Sequence, residues 1–115
     1  MTTYSVVLTK QAARELEAAA DWWAVHQSIL QAGRWYAGFS MGIDSLRESP
    51  ERLPLADENP EFAYELRELH YGLGSSPTHR AVYTIVGEIV VVLTVRHAAQ
   101  KPIQPDDVEV DPALF

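Results

Sequence analysis

Apolar positions repeat with a helical period in the first half of this chain and with a strand-like period in the second. Residues 4–8, Tyr-Ser-Val-Val-Leu, form a short β-prone run that reads as a first strand. Thr9 follows as a hydroxyl placed to cap a helix. Ala12, Leu16, Ala19 and Trp23 then recur at helical spacing, with Lys10, Arg14, Glu17 and Asp21 on the other side, which predicts a helix to about His26. Residues 27–31 read as a turn, after which Trp35, Phe39, Ile43 and Leu46 make a second helical stripe. Ser49-Pro50 ends it, because the residue before proline avoids helical geometry. Two antiparallel helices on a short connection form an αα-hairpin. The aromatic group Trp22, Trp23, Trp35, Tyr36 and Phe39 reads as its core.

Beyond a proline-rich, acidic loop over residues 50–63, in which no chemistry is legible, the period changes. Residues 64–70 alternate as a half-exposed strand, and residues 71–77 are a Gly/Ser loop. His79–Val86 and Ile89–His97 read as strands joined by Gly87-Glu88, the composition of a type II′ turn. Both faces of residues 89–95 are apolar, which places that strand centrally in the sheet. The expected fold is therefore α+β: an N-terminal strand, an αα-hairpin, then an antiparallel β-sheet. Residues 1–101 read as the domain, and residues 102–115, with Pro102, Pro105 and four acids, as an irregular acidic tail in which Asp106-Asp107 only solvates the chain.

A length of 115 residues fits one domain. There are no cysteines, which removes disulfides and thiolate metal sites and suits a reducing cytosol. The N-terminus has no basic leader region, and no apolar run approaches the about 18 residues of a membrane span. A cytoplasmic location without membrane contact is the expectation. The net charge of −7 argues against non-specific coating of nucleic acid, so no binding to free DNA is expected. The charge is unevenly spread: residues 62–101 carry Arg67, Arg80, Arg96 and Lys101 against Glu65, Glu68 and Glu88, and hold three of the four histidines. The sheet is thus the one part able to present positive charge.

With Gly87 and Glu88 as the turn residues, Val86 faces Ile89 and the pairing runs out to Arg80 opposite Val95 and Thr78 opposite His97. Arg80, Val82, Thr84, Val91, Leu93, Val95 and His97 then share one face, with Arg80 and His97 as diagonal neighbours at the open end. Arginine holds phosphate and stabilises charge developing on it, and histidine exchanges a proton near neutral pH. Together they suit cleavage of an RNA phosphodiester through its 2′-hydroxyl. The plainer alternative is a solvated pair, or an ion pair of Arg80 with Glu68 or with an acidic partner. Arg67, on the preceding strand, could join either group. No Gly-rich phosphate loop, no helical His-x-x-x-His and no nucleophile elbow occurs, so neither a cofactor nor a metal is expected.

The stretches Leu66-Arg67-Glu68-Leu69, His79-Arg80-Ala81-Val82-Tyr83-Thr84-Ile85 and Val91-Val92-Leu93-Thr94-Val95-Arg96-His97-Ala98-Ala99-Gln100 resemble the C-terminal half of the RelE/ParE toxin superfamily. The αα-hairpin matches in order and length, so the resemblance covers roughly residues 4–101. It implies the toxin of a type II toxin–antitoxin module, a group also described as plasmid stabilisation proteins, with a cognate antitoxin that masks it. It also implies one of two targets. ParE-like members poison DNA gyrase without known catalytic residues. RelE-like members cleave mRNA on the ribosome, and Arg67, Arg80 and His97 match the basic positions of that branch as candidate catalytic residues. The acidic charge favours a protein target such as gyrase. The expected Arg80–His97 geometry favours endoribonuclease activity. A degenerate module that only binds its antitoxin is the third reading.

Overall fold

A computed structural model describes residues 3–110. Strand β1 (Ser5–Leu8) leads into helix α1 (Lys10–His26), with Thr9 Oγ1 accepting from the Ala12 N–H at 3.1 Å as its cap. Helix α2 (Ile29–Asp44) begins sooner than the pattern predicts. Ser28 Oγ caps it by accepting from the Gln31 N–H at 3.0 Å, which leaves only Gln27 and Ser28 as the connection. A 3-10 turn at Ser45–Arg47 follows, and Ser49 takes a left-handed φ of 47° before Pro50.

The remaining strands are β2 (Arg67–Tyr71), β3 (His79–Val86) and β4 (Ile89–His97). The sheet order is β1-β4-β3-β2. β2, β3 and β4 are antiparallel as expected, and β1 adds to β4 in parallel, so the sheet is mixed and β4 is central. Gly87 has φ +60° and is the one turn residue with positive φ, as a type II′ turn requires.

One sheet face packs on the helices. Ala12, Leu16, Trp35, Phe39, Ile43 and Leu46 are buried there against Ala81, Tyr83, Val90, Val92 and Val95. The helical stripes therefore fall where periodicity puts them. Gly38 of α2 lies so close to β2 that a Cβ would overlap the Tyr71 hydroxyl, and the Tyr71 ring stacks on Phe39 with centroids 5.2 Å apart. The aromatic group divides, however. Trp35 and Phe39 are fully buried, whereas Trp22 is 51% and Tyr36 40% exposed, because both lie off the stripe that meets the sheet.

The second face is also covered. Val82, Val91, Leu93 and Leu66 pack against Ala56 of the proline-rich loop and against Ile103 and Val108. The segment read as an irregular acidic tail thus contributes, up to residue 110, to this layer. Gln11 of α1 holds it from both sides, donating to the Asp107 carbonyl at 2.8 Å and accepting from the Glu109 N–H at 2.7 Å. Asp107 caps a short 3-10 turn by accepting from the Gln104 N–H at 2.8 Å, so it does more than solvate the chain.

Candidate functional site at the open end of the hairpin

The β3–β4 ladder changes register part-way. Near the turn Val86 pairs with Ile89, Thr84 with Val91 and Tyr83 with Val92, as the turn dictates. Val82 then pairs with Thr94, leaving Leu93 as an extra residue, a β-bulge. The start of α1 fixes this irregularity. The Thr9 N–H donates to the Val92 carbonyl at 3.0 Å, and Thr9 Oγ1 donates to the Leu93 carbonyl at 3.1 Å. Glu15 Oε1 accepts from Thr94 Oγ1 at 2.7 Å and from the Val95 N–H at 3.1 Å. Backbone groups of β4 at and beyond the end of β1 are thereby satisfied.

The consequence is a correction. Beyond the bulge, His79 pairs with His97 and Arg80 with Arg96. Directly paired residues share a face and neighbours alternate, so Arg80 and His97 lie on opposite faces of the sheet. Arg80, Val82, Thr84, Val91 and Leu93 keep the face expected of them, and Val95 and His97 move to the helical face.

Arg80 is buried on the far face between two carboxylates. Its guanidinium forms an ion pair with both oxygens of Glu58 and a second one with Glu68 at 3.2 Å, and its side chain is 10% exposed. Glu58 Oε2 also accepts from the Ile103 N–H at 3.0 Å, so one network ties loop, sheet and C-terminal segment. The Arg80 guanidinium and the Ile103 N–H hold the Glu58 carboxyl down to about 2, against the opposing effect of burial. Glu68 also contacts His70 across the same face. Arg67 is spent elsewhere: it pairs with Glu65 at 2.9 Å and donates to the Glu51 and Leu53 carbonyls. Arg96 donates to the Lys101 carbonyl at 3.1 Å. Arg67 and Arg80 are therefore compensated by carboxylates, while Arg96 meets only a backbone carbonyl.

On the helical face, His79 and His97 meet edge to face with centroids 5.0 Å apart, and His79 meets Trp35 at 4.8 Å. Burial, with His97 alongside, pushes the His79 imidazole down to about 4, so it is neutral at pH 7. His97 is exposed and closes a turn, its Nδ1 accepting from the Ala99 N–H at 3.0 Å. Both histidines line a cavity of about 580 Å³ between α1 and the open end of the hairpin, with Glu15, Trp22 and Trp23 opposite. Among the described residues, no group of three or more His, Asp or Glu side chains is arranged to hold a metal ion.

A comparison with protein families matches residues 6–102 to the family described as "ParE toxin of type II toxin-antitoxin system, parDE". The chain belongs to the ParE toxin family. Among solved structures, a chain of the "Chromosomal ParDE TA system from P. aeruginosa" superposes with a TM-score of 0.68 at 17% identity, over 84% of this chain and 98% of that one. At that identity the likeness is one of fold. No curated protein matches the chain.

The ParE-family fold accounts for what the sequence hides. Glu58, in a loop that reads as featureless, carries the pairing of Arg80. Only its place among Asp57, Asn59 and Pro60 distinguishes it in the sequence, and none of these signals burial. Glu15, on the flank of the apolar stripe of α1, is not singled out by periodicity, yet it reaches Thr94 and Val95 beside the bulge. No described helix is long and apolar enough to cross a membrane.

Proposed function

We propose that this ParE-family toxin acts by binding a protein target in the cytoplasm, DNA gyrase being the family precedent, and that a cognate antitoxin masks it. One observation carries the choice of a protein target over RNA. The guanidinium best placed to meet a phosphate, that of Arg80, is buried between Glu58 and Glu68, and His97 is on the other face. A phosphodiester approaching Arg80 would have to displace a carboxylate already bound to it and face the charge of the other. Releasing either from a buried cation is costly. A histidine across the sheet could not pass a proton to the same substrate, since general acid–base transfer requires hydrogen-bond reach. With Arg67 and Arg80 already paired to carboxylates, the sheet also offers little of the sequence-independent attraction that holds a polyanion. A protein target requires neither feature.

The exposed apolar residues of the αα-hairpin support a protein-binding role. Val25 is 78%, Ile29 83% and Leu30 68% exposed around the α1–α2 connection. Apolar surface gathered at one place on a small domain marks a contact site more often than scattered residues do. The test is gyrase-catalysed supercoiling of relaxed plasmid in the presence of the purified chain. Inhibition that rises with the ratio of toxin to gyrase and is relieved by the cognate antitoxin is expected. Unimpaired supercoiling, together with fragmentation of mRNA in a ribosome-programmed translation mixture, would reverse the assignment.

A further inference from the structure

The cavity between α1 and the open end of the hairpin is not explained by catalysis or by packing. We propose that it is an anchor pocket for an arginine side chain of a partner protein. Trp22 and Trp23 stand at 89° with centroids 5.9 Å apart, so their rings form a corner. Trp22 is held in place although half exposed, because His26 stacks on it at 4.5 Å and 15°. His26 is itself fixed, its Nδ1 lying 3.0 Å from the Trp22 carbonyl. With one face of Trp22 taken by His26, the corner offers its remaining ring surface to a planar cation before any partner arrives.

Glu15 supplies the charge. It lines the cavity with one oxygen fixed by Thr94 and Val95, and no described residue pairs a cation with it. Among the described residues it is the only one with a carboxylate that lines the cavity, and no described lysine or arginine lines it. His79, deeper in, is neutral at pH 7 and does not compensate it. Ala18, Ala19 and Val95 offer apolar surface for a methylene stem.

These features select among occupants. An aliphatic or aromatic anchor would bury the Glu15 carboxylate without a counter-charge, which is unfavourable. A guanidinium answers it, stacks on indole and pairs with a carboxylate through two parallel bonds, which a lysine ammonium does not do. A protein segment is favoured over a free small molecule on two grounds. The chain carries −7 overall and so attracts basic partners, and Trp22 continues at helical spacing into the exposed Val25 and the apolar start of α2, giving a wider contact surface around the pocket. The inference rests on the toxin reading only for which protein supplies the arginine.

The test titrates the full chain with Nα-acetyl-arginine amide, Nα-acetyl-citrulline amide and Nα-acetyl-leucine amide, following the indole N–H signals of Trp22 and Trp23 by NMR. The arginine probe is expected to shift both indoles saturably, with an affinity about tenfold above that of the isosteric, uncharged citrulline probe. Glu15→Gln keeps the acceptor for Thr94 and Val95 and removes the charge, and should bring the arginine probe down to the citrulline level. Trp22→Ala, at a half-exposed position, should weaken the arginine probe in the same way and serves if the Glu15 variant fails to fold. The proposal is overturned if the leucine probe binds as tightly as the arginine probe, or if the arginine probe gives no saturable shift on the unaltered chain. Gyrase supercoiling by the same preparation reads the toxin assignment separately, so either can fail while the other stands.

Discussion

Glu58→Gln is the most informative perturbation of the Arg80 network. The Glu58 carboxyl is held at about 2, against an ordinary 4.5. A carboxyl so shifted contributes about 3 kcal/mol to stability at neutral pH. The side chain is 6% exposed, so little of this is lost to solvent screening. Because the folded-state value is the lower one, the contribution is complete above pH 4.5 and falls away as the pH drops toward 2. Glutamine removes the charge at every pH and leaves Arg80 with Glu68 alone. The variant should therefore lose about 3 kcal/mol at pH 7, a shift of about 2 M in the urea midpoint for a domain of this size. The difference from the unaltered chain should shrink to about half by pH 3. Urea unfolding followed by tryptophan fluorescence at both pH values measures it. A loss below about 1 kcal/mol at pH 7, or a loss that is the same at both pH values, would refute the description of Arg80 as a buried, compensated cation.

Three further outcomes follow from the packing. Gly38→Ala should cost about 1–3 kcal/mol because its methyl would meet the Tyr71 hydroxyl, and Tyr71→Phe in the same chain should recover part of the loss; equal thermal midpoints for Gly38→Ala and the unaltered chain would dismiss the close approach. Ile103→Ala should cost about 2–4 kcal/mol, since that side chain is fully buried against the sheet, and an unchanged denaturant midpoint would return residues 102–110 to solvent. The His79 imidazole should stay neutral in an NMR titration from pH 8 to 5 and protonate near pH 4. Its contribution to stability is accordingly present above about 6.5 and lost as the pH falls toward 4, and a midpoint near 6.5 would contradict its burial.

The helices, their stripes, the strands and the type II′ turn are all legible in the sequence, because each rests on local signals: a capping hydroxyl at Thr9, steps of three and four, and Gly87 at a position that needs positive φ. The bulge at Leu93 is not. Val90, Val91, Val92 and Leu93 are all apolar because both sheet faces are buried there, so a slip of one residue leaves no mark on the pattern. That slip moves His97 away from Arg80 and onto the face of His79. The Arg80–Glu68 pair is foreseeable from adjacent strands. Glu58 is not, since its loop lies 22 residues from Arg80 and carries no periodic signal. The C-terminal segment misleads for the opposite reason: its acids and prolines look solvated, yet Ile103 and Val108 are buried against the sheet and Val110 packs beside them.

The most direct measurement is induced expression of the chain without its antitoxin, with transcript integrity and plasmid topology followed in the same culture over the first minutes. A toxin that binds gyrase leaves messenger RNA at full length while plasmid supercoiling is lost and the DNA damage response rises. Transcripts cut within minutes, with plasmid topology unchanged and the cutting abolished by His97→Ala, would contradict a protein-binding toxin and establish an endoribonuclease in its place.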